Sequence, residues 1–142
     1  MQRFTQISQF TAKLSRLFDT GGPEALCGDY TFPLPVEDTT GMRLYQTPAC
    51  LAAAFAAYLT AAQAHGPTQP KARIVAIALP RQDRFRVWAE WTYQRPSDGQ
   101  ITCDQVIYYC ALWQGRIAVD MIACSVAIPA ETQTDLPNRK SA

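Results

Sequence analysis

Two regions of the chain hold residue types that could do acid–base chemistry. FRVWAEWTYQR (85–95) places a lone acid, Glu90, between Trp88 and Trp91. Further on, Tyr109 and Asp120 flank the Gln114-Gly115 dipeptide. A two-residue turn there pairs Trp113 with Arg116, Ala111 with Ala118, Tyr109 with Asp120, Ile107 with Ile122 and Gln105 with Cys124. Opposed residues lie on the same side of a sheet. Asp120 would then stand between Ala118 and Ile122 on an apolar face. A carboxylate so placed loses hydration, which raises its pKa and suits it to proton transfer. Tyr109 would donate to it or orient a ligand. The competing reading is structural, with Asp120 accepting a hydrogen bond from a buried donor.

Other chemistries find little support. The five cysteines (Cys27, Cys50, Cys103, Cys110, Cys124) form no C-x-x-C pair, and His65 is the only histidine. That is not a zinc spacing, and no metal is expected. No cysteine has a histidine nearby or a clear basic neighbour on its strand face, so thiol catalysis has no base, and the cysteines read as small buried hydrophobes. His65 sits at a helix end, where an imidazolium caps carbonyls. DTGG (19–22) follows a helix, whereas phosphate sites use helix starts. No cofactor is expected.

The chain has 142 residues, 48% hydrophobic and 18% charged, which is one globular domain. A net charge of +1 argues against a nucleic-acid partner. The alanine-rich run within 49–62 is short of the ~20 residues that cross a bilayer. The first residues lack a secretory pattern, so a cytoplasmic location is expected.

The elements that must position these residues follow from periodicity. Ile7, Phe10, Leu14, Leu17 and Phe18 mark an amphipathic helix over 4–18, ended by Asp19–Gly22. A short helix runs from Pro23 to Cys27. Residues 29–36 are extended, with Pro33 and Pro35 confining them to a sheet edge or to no ladder, and 37–42 is a loop. Thr47 caps and Pro48 starts a helix to about Ala64, with a core stripe of Leu51, Phe55, Tyr58, Leu59 and Ala62. From 71 the period changes to two. Strands are expected at 71–79, 84–94, 101–113 and 116–127. Residues 1–128 form the domain and 129–142 a loose tail. Helices followed by strands mean α+β.

FDTGGPEALCGDYTF, then Gly41 before the 48–64 helix, then long strands joined by SDG and QGRI, give a chain that resembles the nuclear-transport-factor-2-like (SnoaL-like) superfamily over residues 4–127. The resemblance implies a cone: a curved, mostly antiparallel sheet wrapped around helices, with an apolar pocket at its open end. It also implies frequent dimers through the outer sheet face. Members include isomerases, epoxide hydrolases, dehydratases, polyketide cyclases and noncatalytic binders, so the fold does not decide the function. Ketosteroid-isomerase-like chemistry would put its base at Leu34 and its donors at Leu14 and Tyr109, and none matches. Epoxide-hydrolase-like members position water with an Asp–Arg–Asp group. Arg73, Asp104 and Asp120 supply those types, yet strand parity sets Asp104 on the face opposite Asp120.

The turn at 96–100 decides the remaining faces. A two-residue turn pairs Ser97 with Gln100, and a three-residue loop pairs Pro96 with Gln100. In 85–93 the more apolar set is Phe85, Val87, Ala89, Trp91 and Tyr93, which the helices must cover. That favours the three-residue loop, opposing Val87 to Tyr109 and Ala89 to Ile107. Glu90 then points outward beside Trp88 and Val106. The pocket would be lined by Tyr30, Phe32, Phe55, Tyr58, Trp91 and Trp113. The outer face would carry Trp88, Glu90, Val106, Tyr108, Leu112, Val119 and Met121, an apolar strip that calls for a second copy. The favoured function is noncatalytic binding of a small apolar molecule. The alternative is a cofactor-free lyase, isomerase or cyclase, with Asp120 as acid–base and Tyr109 as donor.

Overall fold

The computed structural model describes residues 2–16, 28–78 and 80–125. The helix end at 19–22, the short helix at 23–27 and the tail at 129–142 lie outside the described residues. Helix α1 (Gln2–Ser15) buries Ile7, Phe10 and Leu14, the stripe that its three- and four-residue spacing requires. Helix α2 (Pro48–Ala62) begins as expected: Thr47 Oγ1 accepts the Cys50 N–H at 3.3 Å, and Pro48 needs no partner in the first turn. A single 3-10 turn, Gln63–His65, follows it. No helix is long and apolar enough to cross a membrane, among the described residues.

Six strands form one sheet: β1 (Leu34–Asp38), β2 (Gly41–Tyr45), β3 (Lys71–Ile77), β4 (Arg84–Gln94), β5 (Ile101–Trp113) and β6 (Arg116–Cys124). Their order is β2-β1-β6-β5-β4-β3, antiparallel except where β1 runs parallel to β6. The α+β architecture and the four-strand meander match the sequence reading. Two local expectations fail. Residues 37–42 are not a loop but the tip of a β1–β2 hairpin. There Asp38 Oδ1 accepts the Thr40 N–H at 2.8 Å and its hydroxyl at 2.6 Å. β1 is also not an edge strand. It pairs with β6 only at Val36 and Glu37, beyond Pro35, so the missing proline N–H is not asked to donate in that ladder.

The β4–β5 turn corrects both registers considered above. Pro96–Gly99 is a four-residue loop, with Arg95 opposite Gln100. Arg95 N–H donates to Gln100 O at 2.9 Å, and Gly99 N–H to Arg95 O at 2.8 Å. Asp98 Oδ1 fixes the bend by accepting the Gln100 N–H at 2.9 Å, and Gly99 takes φ +72°. The shift of one residue exchanges the faces of β5. Val87 now pairs with Tyr108, Ala89 with Val106 and Trp91 with Asp104. Tyr108 and Cys110 are buried in the core, and the apolar β4 set stays inside as expected.

The Gln114-Gly115 turn forms as predicted, with φ of +49° and +74°, and Trp113 pairs with Arg116 and Ala111 with Ala118. The ladder then slips. Cys110 pairs with Val119 but Tyr109 with Met121, leaving Asp120 as the extra residue of a β-bulge. The expected Tyr109–Asp120, Ile107–Ile122 and Gln105–Cys124 pairs therefore do not form. The bulge explains how Val119 and Ile122, three residues apart, both reach the core. A second irregularity lies between Ile74 and Ala76 of β3.

Candidate functional site

The inner face of the sheet carries one acid from the central strands, Asp104. Its position in β5 puts it on the side of Tyr108 and Cys110, across from Trp91. It is 7% exposed. Tyr58, on the last turns of α2, donates its hydroxyl to Asp104 Oδ2 at 2.8 Å. Among the described residues that is the one hydrogen bond to Asp104, and no cation stands within ion-pair distance of it. Burial pushes the Asp104 carboxyl above its usual range, and the Tyr58 hydrogen bond opposes that shift. The Tyr58 phenol is itself pushed up, first by burial and then by the charge of Asp104. Tyr58 thus remains a donor throughout the physiological range.

Aromatic rings surround this pair. Tyr93 meets Tyr58 edge to face, with centroids 6.3 Å apart. Trp91 Nε1–H donates to the buried Tyr108 hydroxyl at 2.9 Å, and Phe10 of α1 packs on the Tyr108 ring. Tyr30 and Phe55 form another edge-to-face pair. A second buried acid, Asp38, pairs with Arg43. The Cys124 thiol is pushed up to about 12, mainly by burial, with the charges of Asp38 and Asp104 adding to it. It stays protonated and neutral.

The residues expected to be catalytic lie on the other side of the sheet. Asp120, carried outward by the bulge, pairs with Arg84 at 2.6 Å and keeps 29% of its side chain exposed. Tyr109 sits opposite Arg86, whose guanidinium lies 6.0 Å from the Tyr109 ring and 5.1 Å from the Trp88 ring. Asp120 and Tyr109 share this outer face, next to each other at the bulge, with Arg84 paired to Asp120. Of the expected pocket residues, Tyr30 and Trp91 are in the core, and Phe32, Phe55 and Tyr58 pack half-buried against it. Trp113 does not line the interior: it is 67% exposed at the end of β5. Of the expected outer-face residues, Trp88 and Met121 lie outside, while Val106, Tyr108, Leu112 and Val119 face inward. Glu90 points outward as predicted and pairs with Arg73. The Asp–Arg–Asp set is therefore spread over both faces.

The outer face has a concavity of its own, about 530 Å³, with Val75, Trp88, Glu90, Gln105, Ile107 and Ala123 in its lining. No group of three or more His, Cys, Asp or Glu side chains converges on a metal-sized point among the described residues.

The Asp104–Tyr58 pair makes a signed prediction. A carboxyl whose pKa is raised by folding is disfavoured in its ionised form. That cost is absent below the unfolded pKa of about 3.9, grows as pH rises from there to the folded value, and is complete above it. Asp104→Asn keeps an acceptor for Tyr58 and is expected to raise stability at pH 7 but not at pH 3. Tyr58→Phe removes the donor and is expected to cost about 1–3 kcal/mol at pH 7. Urea unfolding of the three proteins at the two pH values checks both signs.

No protein-family model and no curated protein matches the chain. Solved structures do. A cystatin-like domain of unknown function from Nostoc punctiforme PCC 73102 superposes with a TM-score of 0.66 at 10% identity, covering 98% of this chain and 86% of its own. An NTF-2-like protein of unknown function from Shewanella oneidensis MR-1 gives 0.61 at 15% identity, covering 87% and 98%. A protein from Catenulispora acidiphila, solved in complex with S-DNPA, gives 0.61 at 14% identity, covering 87% and 92%. The fold is therefore the cystatin-like, NTF2-like one.

Proposed function

We propose that this NTF2-like protein binds a small, largely apolar molecule on the inner side of its sheet, with Asp104 and Tyr58 as the polar anchor. The observation that carries the reading is a buried carboxylate with a single donor among the described residues, set among aromatic rings. Ligand sites are mostly apolar with a few placed polar groups, and this arrangement has that composition. The Catenulispora acidiphila protein, solved with S-DNPA, supports the reading by analogy of fold. A screen of small aromatic compounds, read by chemical-shift changes at Tyr58, Tyr93 and Trp91, tests it. Shifts confined to those residues are expected. Shifts confined to the outer-face concavity would contradict the assignment.

A second reading is favoured by the raised Asp104 carboxyl. A cofactor-free lyase, isomerase or cyclase would use Asp104 as its acid–base and Tyr58 as its donor, in place of Asp120 and Tyr109. Turnover of a bound ligand by the wild-type chain, lost in Asp104→Asn, would distinguish catalysis from binding.

The outer face fits a second copy of the chain. Trp88, Ile107 and Met121 form an apolar strip there, and Arg73 with Glu90 offers both signs of charge for a self-complementary contact. Trp88→Arg is expected to turn a dimer into a folded monomer in sedimentation velocity. A wild-type chain that sediments as a monomer at micromolar concentration would overturn the dimer.

A further inference from the structure

We infer that the molecule held at Asp104 is an organic cation, a protonated amine carried on an apolar or aromatic body. The inference rests on the binding reading above and narrows it. Asp104 is 7% exposed and receives one hydrogen bond among the described residues, to Oδ2. Oδ1 has no protein donor among the described residues. A carboxylate in that setting ordinarily has a basic partner, because burying an unpaired charge is costly. Here the basic side chains on neighbouring elements are committed elsewhere: Arg43 to Asp38, and Arg73 to Glu90 on the opposite face.

The rest of the described surroundings is neutral. Tyr58 and Tyr93 are phenols, Thr102 and Val106 flank Asp104 along the strand, and the Cys124 thiol stays protonated. The nearby Asp38 is cancelled by Arg43. Among the described residues the net local charge is that of Asp104, with Trp91 across from it and Tyr93 two residues further along the same face. Aromatic faces attract cations, and a carboxylate in a poorly hydrated site attracts them more strongly than in water. A neutral hydroxyl compound would satisfy the open oxygen and leave the charge uncompensated. An anion would be repelled.

The test uses two molecules of the same shape, 2-phenylethylammonium and 2-phenylethanol, titrated into the full chain at pH 7 and followed by NMR. The amine is expected to bind about tenfold tighter than the alcohol. Asp104→Asn is expected to remove that preference, so that the amine and the alcohol bind alike. Equal affinity for the two molecules, or a preference that survives in Asp104→Asn, would overturn the inference and leave the binding reading standing. If neither molecule binds the wild-type chain, both fall. Should Asp104→Asn fold poorly, the wild-type protein serves alone. The amine preference is then expected to fade as pH falls through the Asp104 midpoint, and a preference that stays constant would overturn the inference.

Discussion

Replacing Arg43 with methionine is expected to destabilise the protein by about 3–5 kcal/mol, because it strands a buried carboxylate. The Asp38 side chain is 1% exposed and that of Arg43 11%. Asp38 Oδ2 accepts from the guanidinium, while Oδ1 accepts the Thr40 N–H and hydroxyl. Without Arg43 the β1–β2 hairpin would have to open to hydrate Asp38, or Asp38 would have to take up a proton. The double variant Asp38→Asn/Arg43→Met removes both charges and is expected to recover more than half of the loss. Equilibrium urea unfolding at pH 7 measures each value. A loss below about 1 kcal/mol for the single variant would place the pair at the solvent-exposed end of the salt-bridge scale and contradict its burial.

The second large effect belongs to Trp91. Trp91→Ala is expected to cost about 3–5 kcal/mol, from lost burial and the cavity left behind. It also leaves the buried Tyr108 hydroxyl without the indole donor. Trp91→Phe separates these contributions: most of the apolar burial is kept, and the remaining loss of about 1–3 kcal/mol reports the missing hydrogen bond. Trp88, three residues earlier, is the internal control. It lies on the outer face, where its stacking with Arg86 is worth about 1 kcal/mol. Trp88→Ala should therefore barely move unfolding of the isolated chain, yet it should weaken the proposed dimer. Comparable losses for the two tryptophans would contradict the face assignment of β4.

Much of the fold was legible from local signals. The Thr47-Pro48 cap and the stripe of Ile7, Phe10 and Leu14 each name their element through short-range chemistry. The alternation of β4 did so as well, because only one of its faces is apolar. β5 was different. Thr102, Asp104, Val106, Tyr108, Cys110 and Leu112 alternate with Ile101, Cys103, Gln105, Ile107, Tyr109, Ala111 and Trp113, and both sets are largely apolar. Periodicity cannot choose between two such faces, so the choice fell on the turn. PSDG admits two-, three- and four-residue loops, and the four-residue form is the one the chain adopts. The bulge at Asp120 had no local mark, since no glycine or proline signals it. β2 was missed because its polarity is inverted: Arg43 points inward to Asp38 while Met42 and Leu44 are exposed.

These errors share one consequence. They exchanged the acids, sending Asp120 inward and Asp104 outward. Parity alone correctly held that the two lie on opposite faces. What it lacked was long-range information: the partner of β5 in the ladder, and the reach of Tyr58 from a helix 46 positions earlier in the chain. A tyrosine on the inner stripe of α2 was a visible hint that a polar partner waited on the sheet, because buried phenols find one.

The most direct measurement is the pH titration of the Asp104 side-chain carboxyl by carbon-detected NMR, in the wild-type chain and in Tyr58→Phe. With Asp104 buried on the inner face and hydrogen-bonded to Tyr58, its midpoint should lie above the ordinary aspartate value of 3.8, and it should climb further when the Tyr58 hydroxyl is removed. A midpoint at or below 3.8, or one that Tyr58→Phe leaves unmoved, would put Asp104 in solvent and contradict the site.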